Sequence, residues 1–237
     1  MKVDLLKHLG NMEQICGIRE TRLCRGFGQG VTVAEFYNAA GLRFSVVPDR
    51  CMDLYDFSYK GVNLSFLSCN GLRSPMDYTV QQGEFAWQWS GGMLSTCGLD
   101  NVGGHCDDGI TYPTHGRISA APAKHFGVQT QWEEDDYILR AEGEMEQTRL
   151  YGVRMSLQRS IQTTLYGKSI QIHDRLTNYD AKDAPYFLLY HCNFGYPILD
   201  SCAKVLMSEA LIEPLNPISD DPVHMIPPID GLSLIHI

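Results

Sequence analysis

Arg154-Met155-Ser156-Leu157-Gln158-Arg159-Ser160-Ile161-Gln162-Thr163-Thr164 decides the fold, together with Ser169-Ile170-Gln171-Ile172-His173-Asp174-Arg175-Leu176-Thr177-Asn178 beyond a Tyr166-Gly167-Lys168 turn. Apolar and polar residues alternate on both sides of the turn. Side chains on a strand point to opposite faces with a period of two, so this is the pattern of a long antiparallel hairpin with one buried face. Residues 137–146 alternate in the same way. Upstream, 31–38, 42–47, 52–59 and 62–67 read as short strands separated by Gly, Asn-Ala-Ala-Gly and Tyr-Lys-Gly turns. Residues 1–10 are expected to form one short helix. Residues 68–104 are rich in Gly and aromatics without clear periodicity and read as a long loop of the kind that carries binding residues on a rigid sheet. Strands without intervening helical patterns argue against a parallel α/β fold, so the expected class is all-β, a large antiparallel β-sandwich.

The 237 residues suffice for one large core without division, and neither a linker nor an internal repeat interrupts them. Hydrophobic residues at 44% and charged residues at 20% fit a globular protein. A net charge of −9 disfavours nucleic acid and anionic membrane as partners, since both attract basic surfaces. No apolar run approaches the roughly 20 residues needed to span a bilayer. The eight cysteines form no Cys-x-x-Cys pair, and Met1-Lys2-Val3-Asp4-Leu5-Leu6-Lys7-His8 lacks the apolar core of a signal peptide. Free thiols in a reducing cytoplasm are expected.

Two histidines stand out. Pro185-Tyr186-Phe187-Leu188-Leu189-Tyr190-His191-Cys192-Asn193-Phe194-Gly195-Tyr196-Pro197 reads as a buried strand that delivers His191 and Asn193 ahead of a Gly-Tyr-Pro turn. Tyr112-Pro113-Thr114-His115-Gly116-Arg117-Ile118-Ser119 places His115 at a Gly turn beside Arg117. Imidazole exchanges protons near neutral pH, so the two form an acid/base site if they meet in space. Taken singly, each reads as well as a half-buried structural histidine.

Four ordered motifs resemble a poorly characterised branch of the galactose mutarotase-like, or aldose 1-epimerase-like, family. They are Val46-Val47-Pro48-Asp49-Arg50-Cys51-Met52-Asp53-Leu54, Gly91-Gly92-Met93-Leu94-Ser95-Thr96-Cys97-Gly98-Leu99, His115-Gly116-Arg117-Ile118-Ser119 with Pro122-Ala123, and the segment around His191. The resemblance implies an antiparallel β-supersandwich over residues 1–231 that binds a small-molecule carbohydrate and needs no metal or cofactor. Sugar anomers interconvert when an acid protonates the ring oxygen while a base takes the proton of the anomeric hydroxyl. By resemblance His191 is the general acid and His115 binds and orients the sugar. The family's base is a glutamate near its C-terminus, in a segment expected to lie past Gly231, so this chain is expected to be inactive as it stands. Asp53, Glu84 and Asp100 are the first candidates if the base lies within this sequence. The competing readings are a carbohydrate-binding protein without catalysis and a metal-dependent sugar isomerase or lyase.

Further binding candidates each have a second reading. Arg50 and Asp53 are placed to bond sugar hydroxyls or to pair with each other at a turn. Arg117 offers a forked donor to a ligand or holds its own loop. Trp87 and Trp89 suit stacking on a sugar's C–H face, or share one side of a strand and pack the core. Asn193 positions His191 or caps the Gly195 turn. His105, Cys106, Asp107 and Asp108, with Cys97 and His115, have no familiar metal-ligand spacing, so no metal site is expected. Residues 232–237, Leu232-Ser233-Leu234-Ile235-His236-Ile237, can be encoded by a transposon mosaic-end adapter. They are expected to be a non-native tail, with the natural protein continuing past Gly231.

Overall fold

The computed structural model describes residues 2–204, so the tail at 232–237 and the boundary at 231 lie outside the described residues. In chain order the strands are β1 (Gly17–Arg22), β2 (Thr32–Tyr37), β3 (Leu42–Val47), β4 (Asp53–Tyr59), β5 (Val62–Asn63), β6 (Leu94–Leu99), β7 (Cys106–Asp107), β8 (Thr111–Tyr112), β9 (Lys124–Glu133), β10 (Asp136–Thr148), β11 (Arg154–Thr164), β12 (Gln171–Asn178) and β13 (Phe187–Cys192). Two short helices, α1 (Lys2–Leu6) and α2 (Phe85–Gln88), accompany them. All pairings are antiparallel. One sheet runs β1-β2-β3-β4-β6-β13 with β5 attached to β4, a second runs β12-β11-β10-β9, and β7 with β8 forms a small ribbon. The architecture is the expected antiparallel β-supersandwich.

The alternation that identified the hairpin also builds the core. Leu139 and Ala141 of β10 and Leu157 and Ile161 of β11 face Ala34, Phe36, Phe44 and Val46 of the larger sheet, and all are buried. Phe36 and Phe44 stack with ring centroids 4.5 Å apart. Burying each such ring contributes about 1.5–3 kcal/mol. The β11–β12 turn is clasped by the β2–β3 turn: the Asn38 amide donates to the carbonyls of Thr164 and Gly167, both at 2.8 Å, and its Oδ1 accepts from Leu42 N at 3.0 Å.

Several expectations need correction. The helix expected over residues 1–10 shrinks to α1, since Asn11 caps a separate turn and ends the run. The strand expected at 62–67 forms a ladder only at β5, followed by isolated bridges from Ser65 to Phe194 and from Leu67 to Gly91. Ser65 Oγ accepts from Phe57 N, and the Asn63 amide donates to the carbonyls of Ser65 and Tyr196, and these side-chain bonds interrupt the ladder. The supposed loop at 68–104 contains β6, a strand between β4 and β13 whose six residues are all buried. Burial on both faces removes the alternation that would have revealed it. Conversely β13, expected to be buried, exposes Phe187, Leu189 and Tyr190 by 52%, 40% and 43%. It ends the sheet and, among the described residues, pairs only with β6.

One charged side chain crosses between the sheets. Arg159, on β11, is fully buried. Its Nε and Nη2 donate to the two carboxylate oxygens of Asp174 at 2.9 and 2.7 Å. Nη1 donates to Cys51 O at 3.0 Å, Thr96 Oγ1 at 2.8 Å and Asp53 Oδ1 at 3.4 Å. Tyr190 completes the network by donating its hydroxyl to Asp174 at 2.6 Å. Gly143 lies opposite Arg159 in the ladder, where a Cβ would come within 2.7 Å of the Met52 sulfur. Replacing Arg159 by Ala strands two carboxylates in the interior. Urea unfolding of Arg159→Ala should show a loss of about 3–5 kcal/mol, the range for breaking a buried ion pair from one side.

Candidate functional site

The two faces of the larger sheet divide the labour. Ala34, Phe36, Phe44 and Val46 point to the second sheet, while Val33 and Val47 join Val31, Tyr55 and Leu72 in a separate apolar cluster on the opposite face. On that opposite face Ser95 and Cys97 of β6 line a cavity with Arg50, Tyr55, Trp89 and His115. β13 continues the face: His191 pairs in register with Ser95, whereas its neighbour Tyr190 pairs with Thr96 and turns to the Arg159 network. The strand period therefore sends His191 to the site and Tyr190 to the clamp.

His115 and His191 meet. Their ring centroids are 5.2 Å apart in an edge-on arrangement, and both rings are half-buried. Phe85 packs edge-on against His115 at 5.1 Å, and Trp89 against His191 at 6.2 Å. His115 sits at φ 63° and Gly116 at φ 77°. A Cβ on Gly116 would lie 2.0 Å from Gly98 O, so this left-handed turn requires glycine at its second position. His115 Nδ1 is 2.9 Å from Val102 O. A carbonyl oxygen only accepts, so Nδ1 carries the proton, and in the neutral ring Nε2 presents its lone pair.

The other candidates separate into three groups. Arg50 and Trp89 line the cavity: Arg50 Nη1 donates to Ser90 Oγ at 3.3 Å, and Trp89 Nε1 donates to Ser95 Oγ at 3.4 Å. Burial lowers the Arg50 pKa against the opposing charge of Asp53. Asp53 also lines the cavity, but its Oδ1 accepts from Thr96 N at 3.0 Å, Thr96 Oγ1 at 2.6 Å and Arg159, so it belongs to the clamp rather than to a turn pair with Arg50.

Arg117 and Asn193 are held by the protein itself. Arg117 pairs with Asp100 and donates to Thr111 O, holding its loop. Asn193 is buried and donates to Gly92 O at 2.9 Å and His191 O at 3.1 Å, tying β13 to the Gly91-Gly92 turn. Trp87 is 69% exposed and does not line the cavity. It stands two residues from Trp89 at the end of α2, not on a strand, so the two rings diverge. Asp107 and Asp108 bond the backbone of their own turn through Gly109 N and Ile110 N. Among the described residues no three His, Cys, Asp or Glu side chains gather as a metal site needs.

Sequence reasoning did not single out Arg159, Asp174, Thr96, Tyr55, Tyr78 or Phe85. Arg159 did leave a signal, because it shares the inward parity of Leu157 and Ile161, and Asp174 stands likewise between Ile172 and Leu176. Tyr78 donates its hydroxyl to Gly116 O at 3.2 Å, and burial pushes its pKa up to about 12, so it stays a neutral donor that braces the histidine turn.

The fold is that of the galactose mutarotase-like, aldose 1-epimerase-like sandwiches. It is shared with a "putative aldose 1-epimerase" of Klebsiella pneumoniae subsp. pneumoniae MGH 78578, at 23% identity and a TM-score of 0.72, covering 77% of this chain and 48% of that one. It is also shared with a galactose mutarotase-like protein of Clostridium acetobutylicum, at 16% identity and a TM-score of 0.50, covering 80% of this chain and 57% of that one. The chain thus spans about half the length of these solved relatives. It belongs to the family described as a domain of unknown function, DUF4432, which matches residues 28–227. No curated protein matches the chain. No helix among the described residues is long and apolar enough to cross a membrane.

The buried carboxylate yields a pH test. Burial pushes the Asp53 pKa from 3.8 up to about 6, with Arg159 and Thr96 pulling the other way. A carboxyl whose pKa is raised by folding contributes most stability below its unfolded pKa and loses that contribution as pH rises through about 6. Thermal melts from pH 7.5 down to 4.5 should therefore show the parent gaining stability relative to Asp53→Asn on acidification. Parallel profiles would contradict the raised pKa.

Proposed function

We propose that the chain carries a sugar 1-epimerase-type site, with His191 as the general acid at the ring oxygen of an aldose and His115 as the residue that binds and orients it. The observation that carries the reading is the approach of two imidazoles to 5.2 Å from separate segments of the sheet face, beside Trp89 and the Arg50 guanidinium. His115 Nε2 is an acceptor for a sugar hydroxyl, and Trp89 supplies an apolar wall. Protonation of the ring oxygen by His191, with loss of the anomeric hydroxyl proton to a base, opens the ring. Rotation about the C1–C2 bond presents the other carbonyl face, and the steps reverse with no net change in protons. Among the described residues Asp53 is engaged by Arg159 and Thr96, and Asp100 by Arg117. Glu84, at the start of α2, does not line the cavity, and none of the three is assigned as the base, which the family resemblance places in a C-terminal glutamate.

The lack of a free carboxylate among these three in the cavity is the observation favouring a second reading, a carbohydrate-binding protein that does not turn its ligand over. Polarimetry of freshly dissolved α-galactose and α-glucose at pH 7, with the full-length protein, separates the two. An epimerase accelerates the decay to equilibrium, and His191→Ala should lower that rate by about 10²–10⁴-fold, as for loss of a general acid. Binding of the sugars without acceleration leaves the second reading, and His191→Ala at the parental rate contradicts the assigned acid.

A further inference from the structure

The cavity beside the histidines is tight, about 30 Å³, room for little more than ordered water. A pyranose meeting His115 and His191 must therefore lie across its mouth. The face does not end there. A trough of about 470 Å³ continues along the same side of the sheet towards β1, and Tyr55 and Leu72 line both spaces. This volume is in the usual range for small-molecule sites.

The trough has the makings of a saccharide subsite. Phe27 lines it while remaining 64% exposed. The Arg73 guanidinium sits 4.0 Å from the Phe27 ring centroid and steadies it. Across the floor Ser45, only 3% exposed, lines the trough with no hydrogen bond to its hydroxyl among the described residues. Glu35 and Asp56 line it too, and neither has an ion pair or hydrogen bond through its carboxylate among the described residues. Acceptors around an aromatic wall suit a ring that presents hydroxyls at its edge and C–H groups on its face. Among the described residues two carboxylates and Arg25 line the trough and the Arg73 guanidinium sits on its Phe27 wall, so the charges balance and suit a neutral occupant.

We infer that the ligand is longer than one sugar: a neutral reducing disaccharide whose reducing unit meets His115 and His191 while its second unit lies in the Phe27–Ser45 trough. The inference rests on the histidine pair being the sugar site, and it adds a preference for length and neutrality.

Calorimetric titration with lactose, maltose, galactose, glucose and glucose 6-phosphate tests it. Against the parent chain the better neutral disaccharide should bind about tenfold more tightly than its monosaccharide, a difference of about 1.4 kcal/mol. Glucose 6-phosphate should bind no better than glucose. In Phe27→Ala, a change at an exposed position, the ratio of disaccharide to monosaccharide affinity should fall to about one. The ratio compares ligands on one sample, so partial unfolding of a variant does not alter it. Equal affinity of monosaccharides and disaccharides in the parent overturns the extension and leaves the histidine site standing. A preference that survives Phe27→Ala puts the second unit elsewhere and overturns it too, and tighter binding of the phosphate overturns the neutrality. Failure of every sugar to bind removes the underlying site along with the inference.

Discussion

The buried guanidinium of Arg159 is the contact on which both the sandwich and its site depend. A charge in a protein interior is costly unless its partners replace the water it has lost. Here all three nitrogens find acceptors: Asp174 takes two in a forked pair, while Thr96, Asp53 and the Cys51 carbonyl share the third. Burial opposes the Arg159 charge, but the bonds to Asp174 and the surrounding negative groups hold its pKa above the usual arginine value. Those partners come from β4, β6 and β12 and from the turn before β4. Tyr190 of β13 joins through Asp174. One side chain from the smaller sheet thus fixes three strands of the larger one.

Those three strands are the ones that carry the chemistry. Tyr55 follows Asp53 by two residues, Ser95 and Cys97 flank Thr96, and His191 follows Tyr190. On β6 and β13 one parity is held by the clamp and the other is turned to the site, so the positions of those site groups follow from the clamp. On β4 Asp53 and Tyr55 share a parity and both line the cavity. His115 is placed by separate means. Its turn is packed against Gly98 without room for a side chain at Gly116, its ring is anchored on Val102 O, and Tyr78 braces the carbonyl of Gly116. The geometry of the pair is thereby set by backbone packing on one side and a buried ion network on the other.

Legibility in the sequence followed the physics of each element. β10, β11 and β12 are sandwiched on one face and wet on the other, so alternation announced them within a few residues. β6 is buried on both faces and built from Leu-Ser-Thr-Cys-Gly-Leu, which offers neither alternation nor a run of large apolar residues. β9 exposes too many polar side chains for its period to stand out. β13 misled in the other direction, because its aromatic run belongs to a sheet end where Phe187, Leu189 and Tyr190 remain exposed. At the site, the histidines were visible as proton carriers at a turn and a strand, but their approach depends on sheet order, which no local pattern encodes. Arg117, Asn193 and Asp53 have the chemistry of ligand groups, yet their own neighbours engage them first. Tertiary partners decided those roles.

Imidazole nitrogens report on the central claim directly. A long-range proton–nitrogen NMR spectrum of the uniformly ¹⁵N-labelled chain, taken while an aldose is titrated in, follows each ring separately. The account predicts that His115 and His191 shift together, with the His115 Nδ1 proton retained and its Nε2 resonance moving as it accepts a sugar hydroxyl. Shifts confined to His125 and His173 on the smaller sheet, with His115 and His191 unmoved, would contradict it.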